Sequence, residues 1–399
     1  MCSNVTPTPI PLSVPHLTGN EWQYVKECLD TNWVSYVGPF VNRFERQLAN
    51  KAGAKFAVAT SSGTAALHVA LLLAGVGAND EVLMPGLSFV APANAIRYCG
   101  AWPTFSDIHA DDWQWNIEEV SRFLSRACVV RGGRLFNRST NRRIAALLPV
   151  HLLGGLCDVD AVGELAAQYE LPVVEDAAEC LGATYKGRPI AGPCPTYRGP
   201  LRLVVTSFNG NKIVTTGGGG AILCEDGALA ASAKHLTTTA KTEGCEFLHD
   251  AVGYNYRLTN IAAAVGVAQL ERLDEFVGIK RGIASRYADS FAGCSQITSH
   301  PEPRECRSTF WMYSVELAFP ARPIIERLNK AGIAARPLWM PLSRLSPFSN
   351  CFVWGELPVL SSLYTHGISI PCSVGLTELD QGRVCETLVG AFRRGTDIP

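Results

Sequence analysis

Apolar and polar positions alternate along the first 260 residues in two repeating forms. Short apolar runs rich in β-branched residues are each followed by a stretch in which apolar residues recur every three or four positions. The first form predicts buried strands and the second amphipathic helices. The strand-like runs are KFAVAT (55–60), EVLMP (81–85), WPTFSDI (102–108), RIAALLPVH (143–151), LPVVEDA (171–177), LRLVVTSF (201–208) and GGAILCED (219–226). Such alternation predicts an α/β domain with a mostly parallel sheet, where ligands gather beyond the carboxyl ends of the strands.

The pattern changes at residue 260. A long amphipathic stretch over 260–292 predicts one long helix, and a strand over 311–319 and a helix over 323–333 follow it. We therefore predict three parts. They are an N-terminal arm (1–30), a large domain (31–260), and a long connecting helix with a small C-terminal domain (261–399).

Composition narrows the classes of partner. The chain has 399 residues, of which 47% are hydrophobic, and its 35 basic and 36 acidic residues leave a net charge of −1. Without an electropositive surface we expect no nucleic-acid or membrane partner. The N-terminus lacks a signal-peptide pattern, so we expect a cytoplasmic protein. The fourteen cysteines form no C-x-x-C pair, which predicts buried thiols in a reducing compartment and no metal site.

One lysine lies in an unusual place. In TSFNGNKIVTTGGGGAILC (206–224), Lys212 stands between a β-like run and four glycines. A lone lysine is most often a solvated loop cation. Here two core strands flank it, so it is expected to be partly desolvated and able to act as a nucleophile toward a carbonyl carbon.

Three strand ends carry further candidates, each with an ordinary structural explanation. Ser62, Gly63 and Thr64 open a helix, where they suit a phosphate ester or simply cap the helix. Asp176 ends a strand and can either hold a protonated ring nitrogen or cap the next helix. Phe89 can stack on a planar cofactor or belong to the core.

A phosphate cradle, an aromatic ring, a carboxylate and a lysine, in this order, are the parts that pyridoxal 5′-phosphate requires. The chain resembles the fold-type I aminotransferases, and closely the sugar-nucleotide aminotransferase family named for DegT, DnrJ, EryC1 and StrS. The resemblance runs from NWVSYVGPFVNRFE (32–45) through SSGTAALHVAL and VVEDAAECLGATYKG to VGYNYRLTNIAAAVGVAQLERL (252–273). It implies a large domain with a mostly parallel seven-stranded sheet and a smaller C-terminal α/β domain.

The resemblance also implies roles for individual residues. Lys212 matches the lysine that forms a Schiff base with the cofactor, and Asp176 matches the partner of its ring nitrogen. Phe89 matches the stacking ring. The matches to the phosphate ligands are Gly63, Thr64 and Ser207.

The same resemblance points beyond a single chain. Asn255 matches a residue that members donate across a dimer interface to the neighbouring phosphate, so we expect a homodimer with shared sites. Two residues depart from the commonest family pattern. Glu179 stands where many members have His or Gln, near the cofactor ring oxygen, and Gly218 stands where Glu is usual.

The segments that contain these departures resemble the aminotransferases of legionaminic acid and bacillosamine synthesis. That subgroup implies transfer of an amino group from L-glutamate to C4 of a UDP-4-keto-6-deoxy-N-acetylhexosamine. The alternatives are a GDP-linked 4-keto-6-deoxyhexose, as in perosamine synthesis, and a non-catalytic cofactor-binding regulator. Five arginines between 131 and 143 belong either to a solvated hairpin or to a contact with the nucleotide diphosphate.

Overall fold

The computed structural model describes residues 8–244 and 246–393, so the first residues of the predicted arm and the last of the predicted C-terminal part lie outside the described residues. The α-helices of the described part are α1 Glu21–Asp30, α2 Pro39–Ala52, α3 Gly63–Leu73, α4 Ala91–Tyr98, α5 Ile117–Ala127, α6 Val159–Tyr169, α7 Gly227–Thr237, α8 Asn260–Glu271, α9 Leu273–Phe291, α10 Ala321–Lys330, α11 Pro358–His366 and α12 Glu378–Arg393. The strands are β1 Phe56–Thr60, β2 Glu81–Pro85, β3 Trp102–Ser106, β4 Cys128–Arg131, β5 Arg134–Asn137, β6 Ile144–Leu147, β7 Val173–Asp176, β8 Thr184–Tyr185, β9 Arg188–Pro189, β10 Arg202–Ser207, β11 Gly220–Cys224, β12 Ile297–Ser299, β13 Cys306–Arg307, β14 Tyr313–Leu317, β15 Arg336–Pro337, β16 Phe352–Val353 and β17 Gly367–Ile370.

The central sheet confirms the predicted α/β fold. Its strand order is β1-β11-β10-β7-β6-β2-β3-β16, and β11 alone runs antiparallel to its neighbours. All seven strands predicted for the first 260 residues lie in this sheet. The eighth, β16, is a two-residue edge strand from the C-terminal region that pairs in parallel with β3. It is too short for periodicity to reveal.

The C-terminal region forms its own antiparallel sheet in the order β12-β14-β17-β15. The strand predicted over 311–319 is the shorter β14, which begins two residues later. Helices α10 and α11 pack on this sheet, and α12 packs on α9 and α10. The division into domains at residue 260 stays a prediction.

The long helix predicted over 260–292 is two helices. Arg272 leaves helical geometry with φ −110° and ψ 6°, and its N–H bonds to Gln269 instead of continuing the helical ladder. Leu270 and Leu273 are both buried on either side of the break. The interruption lets α8 pack on α1 and α2 while α9 packs against β12 and α12. No proline or glycine marks the position, so the prediction of one long helix over 260–292 is wrong.

The arginine-rich insertion is a hairpin, as one of the two interpretations predicted. Strands β4 and β5 pair with each other, and the chain that follows is held at the beginning of β2. Arg143 binds Asp80 through two N–H groups, and Asn137 donates to Glu81. Glu81 begins β2, whereas ligands in this fold bind beyond the strand's other end. Within one chain, the hairpin therefore lies away from any such ligand.

The described part of the chain contains no disulfide, and most of its cysteine thiols are buried. None of the helices in that part combines the length and apolar character needed to cross a membrane.

Candidate active site

A cavity of about 210 Å³ opens beyond the carboxyl ends of β2, β7 and β10, beside the start of α3. Seven of the eight predicted site residues line it. They are Gly63, Thr64, Phe89, Asp176, Glu179, Ser207 and Lys212. Parallel strands bring their carboxyl ends to one edge, which explains why residues from four separate segments meet here.

The first turn of α3 forms one wall. Ser62 is the N-cap, and its hydroxyl oxygen accepts a hydrogen bond from the N–H of Ala65 at 3.0 Å. Among the described residues, no acceptor is bound by the N–H groups of Gly63 and Thr64. A Cβ on Gly63 would lie 2.9 Å from the Cβ of Ser207, so only glycine lets this turn approach β10 so closely. Free N–H groups beside a hydroxyl form a site for a phosphate dianion.

Asp176 forms the floor of the cavity at the end of β7. Its side chain is buried and accepts a hydrogen bond from the N–H of Ala178 at 3.0 Å. Burial raises the pKa of this carboxyl group, and within the described residues no basic side chain lies within 4.0 Å of it. A cation bound against Asp176 would restore its charge, which is what a protonated ring nitrogen would do.

Glu175, the acid just before Asp176, has a structural role. Because successive strand residues face opposite sides, Glu175 points away from the cavity. It lies 2.5 Å from the Nε of Arg202 and 3.0 Å from the Nε2 of His151. Burial alone would raise the pKa of Glu175, but Arg202 and His151 lower it to about 2. Glu175 is therefore an ionised structural anchor, and its adjacent Asp176 is the acid that faces the cavity.

Lys212 lies in the loop between β10 and β11 with its side chain almost buried. Its Nζ is 3.6 Å from a carboxylate oxygen of Glu179 and 3.9 Å from the ring centroid of Trp311. Glu179 also accepts the N–H of Leu153 at 2.8 Å, and burial raises its pKa. Trp311 was not among the predicted site residues, because the sequence pattern predicts it as the first residue of a core strand.

A second cavity of about 560 Å³ adjoins the first and shares Phe89, Glu179 and Lys212 with it. Its other walls include Trp311, Arg336 and residues of the N-terminal segment. Phe89 is 56% exposed at the junction, where a ring can cover a flat ligand. Volumes of this size accommodate ligands of several rings. A large substrate can thus reach Lys212 from this side.

Asn255 is the one predicted site residue outside these cavities. It is exposed, and its backbone bridges to Thr238. Its expected role in a neighbouring chain's site stays a prediction.

Comparison with known proteins agrees with this geometry. The sequence model of the DegT/DnrJ/EryC1/StrS aminotransferase family matches residues 15–389. The chain belongs to this family. Its members are pyridoxal phosphate-dependent aminotransferases, and the cofactor predicted from the sequence is thereby confirmed. The expected fold type is confirmed as well.

The chain is similar to several named proteins. GDP-perosamine synthase of Caulobacter vibrioides is 36% identical over 95% of this chain and 97% of its own length. The enzyme of the same name from Escherichia coli O157:H7 is 34% identical over 95% and 97%. EpsN of Bacillus subtilis, named as a candidate pyridoxal phosphate-dependent aminotransferase, is 38% identical over 96% and 95%. The crystal structure of the aminotransferase TlmJ from Streptoalloteichus hindustanus superposes with a TM-score of 0.85 at 27% identity, covering 96% of this chain and 99% of that one. The chain is thus a sugar aminotransferase.

The residues present fit pyridoxal phosphate. The first turn of α3, the buried acid Asp176, an exposed aromatic ring and a nearly buried lysine all face one cavity. The departure at Gly218 leaves room on this wall, because a Cβ there would meet no atom within 4 Å.

Proposed function

We propose that the protein transfers the amino group of L-glutamate to C4 of a GDP-linked 4-keto-6-deoxyhexose. The observation that carries this proposal is the convergence of Lys212, Asp176 and the α3 turn on one cavity, with a larger cavity leading to it. The relatives named GDP-perosamine synthase support the nucleotide sugar as acceptor. The expected UDP-linked N-acetylhexosamine has the support of sequence motifs alone.

Each residue then has a defined task. When bound, pyridoxal phosphate supplies the electron sink that lets a proton leave the α-carbon of glutamate. Its phosphate would be held by Gly63, Thr64 and Ser207. Asp176 would stabilise the positive charge on its ring nitrogen, and Phe89 would cover its ring.

Lys212 would hold the cofactor through its Nζ in the resting enzyme, and it would be a free amine once the donor is bound. As a free amine, its Nζ accepts the α-proton and then delivers it within the same cavity. Glu179, 3.6 Å from this nitrogen, orients it and balances its charge. The same residues act in reverse order on the keto sugar, which makes the reaction a two-stage exchange.

The experiment is a half-reaction screen. The purified holoenzyme is treated with glutamate until the visible absorbance of the lysine-bound cofactor disappears, and GDP- or UDP-linked 4-keto-6-deoxy sugars are then added separately. We expect the GDP-linked sugar to restore the absorbance. Restoration by the UDP-linked sugar alone would reinstate the first expectation, and no response to glutamate would favour the non-catalytic regulator.

A further inference from the structure

Trp311 forms a contact with the reactive nitrogen that the proposed roles leave unexplained. Its ring centroid lies 3.9 Å from the Nζ of Lys212, which is close enough for a cation to interact with the electron-rich face of the indole. The indole N–H donates to the backbone oxygen of Asn211 at 2.7 Å, so the ring is tied to the residue before the lysine. Trp311 is only 3% exposed.

The backbone of Trp311 is also held by Lys280. Lys280, on α9, is buried, and its Nζ donates to the backbone oxygen of Trp311 at 2.9 Å and to that of Cys372 at 2.7 Å. Within the described residues, no carboxylate lies within 4.0 Å of this amine. The N–H of Cys372 in turn bonds to Leu12, which lines the larger cavity. The buried Lys280 therefore links Trp311 to the segment that contacts Leu12 in the larger cavity.

The backbone just before Trp311 forms a constrained turn at Phe310. Phe310 has a φ of +48°, a left-handed geometry that is unfavourable for an aromatic residue. Thr309 bonds to Gly154, where an added Cβ would lie 2.5 Å from the nitrogen of Trp311. The structure thus maintains an unfavourable backbone geometry next to the residue that touches Lys212, which is typical of functional sites.

We propose that Trp311 is a further catalytic residue, whose indole face stabilises Lys212 as an ammonium group while it carries the proton, and that Lys280 is the positioning residue that holds this indole in place. This inference rests on the proposed function. Lys212 takes one proton from the α-carbon of the donor as a free amine, is an ammonium ion until it gives that proton up, and then returns to the amine. The indole interacts more strongly with the cation than with the neutral amine, so it favours the proton-carrying state.

The test compares variants in the glutamate half-reaction, measured in a single turnover with ordinary and α-deuterated glutamate. We expect Trp311→Leu to react about ten-fold more slowly, as loss of a desolvated cation–π contact implies. Its deuterium isotope effect should rise, because proton transfer becomes the slow step. Trp311→Phe keeps an aromatic face and should lose less. Trp354→Leu, whose ring packs on Phe123 and lines neither cavity, is the matched control and should leave the isotope effect unchanged.

Lys280→Met should reproduce the slower reaction and the larger isotope effect. Because loss of a buried lysine also weakens the fold, the control is Ile283→Ala on the same helix, which removes buried apolar contacts without touching Trp311. Ile283→Ala should lower the melting temperature and leave the isotope effect as in the wild type.

A second measurement needs no turnover. In the full-length chain freed of cofactor, with its fold checked by circular dichroism, reductive methylation of lysines is quantified by mass spectrometry. We expect Trp311→Leu and Lys280→Met to increase labelling at Lys212 several-fold relative to the other lysines. If wild type reacts with glutamate but Trp311→Leu matches it in rate, isotope effect and labelling, the inference is wrong. If wild type itself fails to react with glutamate, the proposed function is wrong instead.

Discussion

At the residue scale, the site depends on a few side chains whose environments differ sharply. Asp176 and Glu175 are adjacent acids on one strand, yet burial raises the pKa of Asp176 while Arg202 and His151 overcome burial and lower that of Glu175 to about 2. Asp176 faces the cavity, where it can bind a cationic group, whereas Glu175 already contacts Arg202 and His151. We therefore expect Asp176 to act in the reaction and Glu175 to stabilise the fold.

Replacing Lys212 by alanine should abolish the glutamate half-reaction without unfolding the protein. Within the described residues, the side chain pairs with Glu179 and donates to no backbone oxygen, so its loss should change the melting temperature little. Lys330→Ala, on the exposed end of α10, is the control and should keep full activity. Turnover by the Lys212 variant would refute its assignment as proton carrier.

The variant Asp176→Asn keeps the shape of the side chain and removes its charge. Loss of an ionic hydrogen bond costs about 1.5–3 kcal/mol, so cofactor affinity should fall, and the single-turnover rate should fall further because the ring becomes a poorer electron sink. Burial raises the pKa of Asp176, so the neutral amide should not destabilise the cofactor-free protein. Equal rates for variant and wild type would show that Asp176 only caps the following turn.

Glu175→Gln should show a pH-dependent loss of stability. The folded pKa of Glu175, about 2, lies below its ordinary value, so its stabilising contribution is present above pH 4.5 and is lost as the pH falls toward 2. We expect the variant to be less stable by about 3 kcal/mol at pH 7, since Arg202 is left unpaired. Denaturant unfolding at several pH values should show the difference shrinking below pH 4.5, where Glu175 becomes protonated in the unfolded chain, and vanishing near pH 2, where it is protonated in the folded protein as well. A constant difference would contradict this account.

At the scale of elements, the ends of strands and helices decide where chemistry lies. The loops after β2, β7 and β10 and the first turn of α3 all open at one edge of the sheet. The β4–β5 hairpin is anchored at the opposite edge, where Arg143 binds Asp80. Its arginines are thus separated from the site by the length of β2.

The hairpin arginines should matter for stability rather than for substrate. Arg143→Ala should destabilise the protein by about 2 kcal/mol, because a partly buried, two-point hydrogen bond to a carboxylate is lost. Arg134→Ala, at an exposed position, should have almost no effect on unfolding. Neither variant should change the KM for the nucleotide sugar in steady-state assays. A several-fold rise in KM for Arg134→Ala would revive the predicted diphosphate contact.

At the scale of the whole molecule, several apolar side chains are exposed near Asn255. Trp33, Val37 and Val252 are exposed, the last of them to 83%. Val37 lies in the same surface depression as Thr238, whose backbone bridges to Asn255. Contiguous exposed apolar side chains mark interaction surfaces. We propose that a second copy covers this surface in a homodimer.

A complementation experiment tests whether the two sites are shared. Inactive Lys212→Ala is mixed with an impaired Asn255→Ala variant under conditions that exchange subunits. If Asn255 acts in the partner's site, each mixed dimer has one site with both lesions and one with neither, so activity should approach half that of wild type per dimer. No recovery despite proven exchange would place Asn255 outside the partner's site, and an active monomer by light scattering would refute the dimer.

The sequence by itself determined the α/β architecture and most of the cofactor site. Strands and helices leave a local period, and the segments around Gly63, Asp176 and Lys212 each carry their own strand-to-loop signal, so their meeting at one sheet edge follows from parallel topology alone. The family resemblance added the roles. The sugar carrier did not follow, because the motifs shared by the family describe the cofactor more than the acceptor.

The tertiary structure decided what depends on residues far apart in the chain. The break at Arg272 lets α8 pack on α1 and α2 while α9 packs on β12 and α12, and these packing partners leave no local signal in the sequence. Trp311 meets the backbone of Asn211, a hundred residues away, only because Lys280 and Gly154 place it there. Periodicity reports which face of an element is apolar, whereas the partner of that face is selected by packing. The neighbours of Lys212 therefore became visible only in the folded chain.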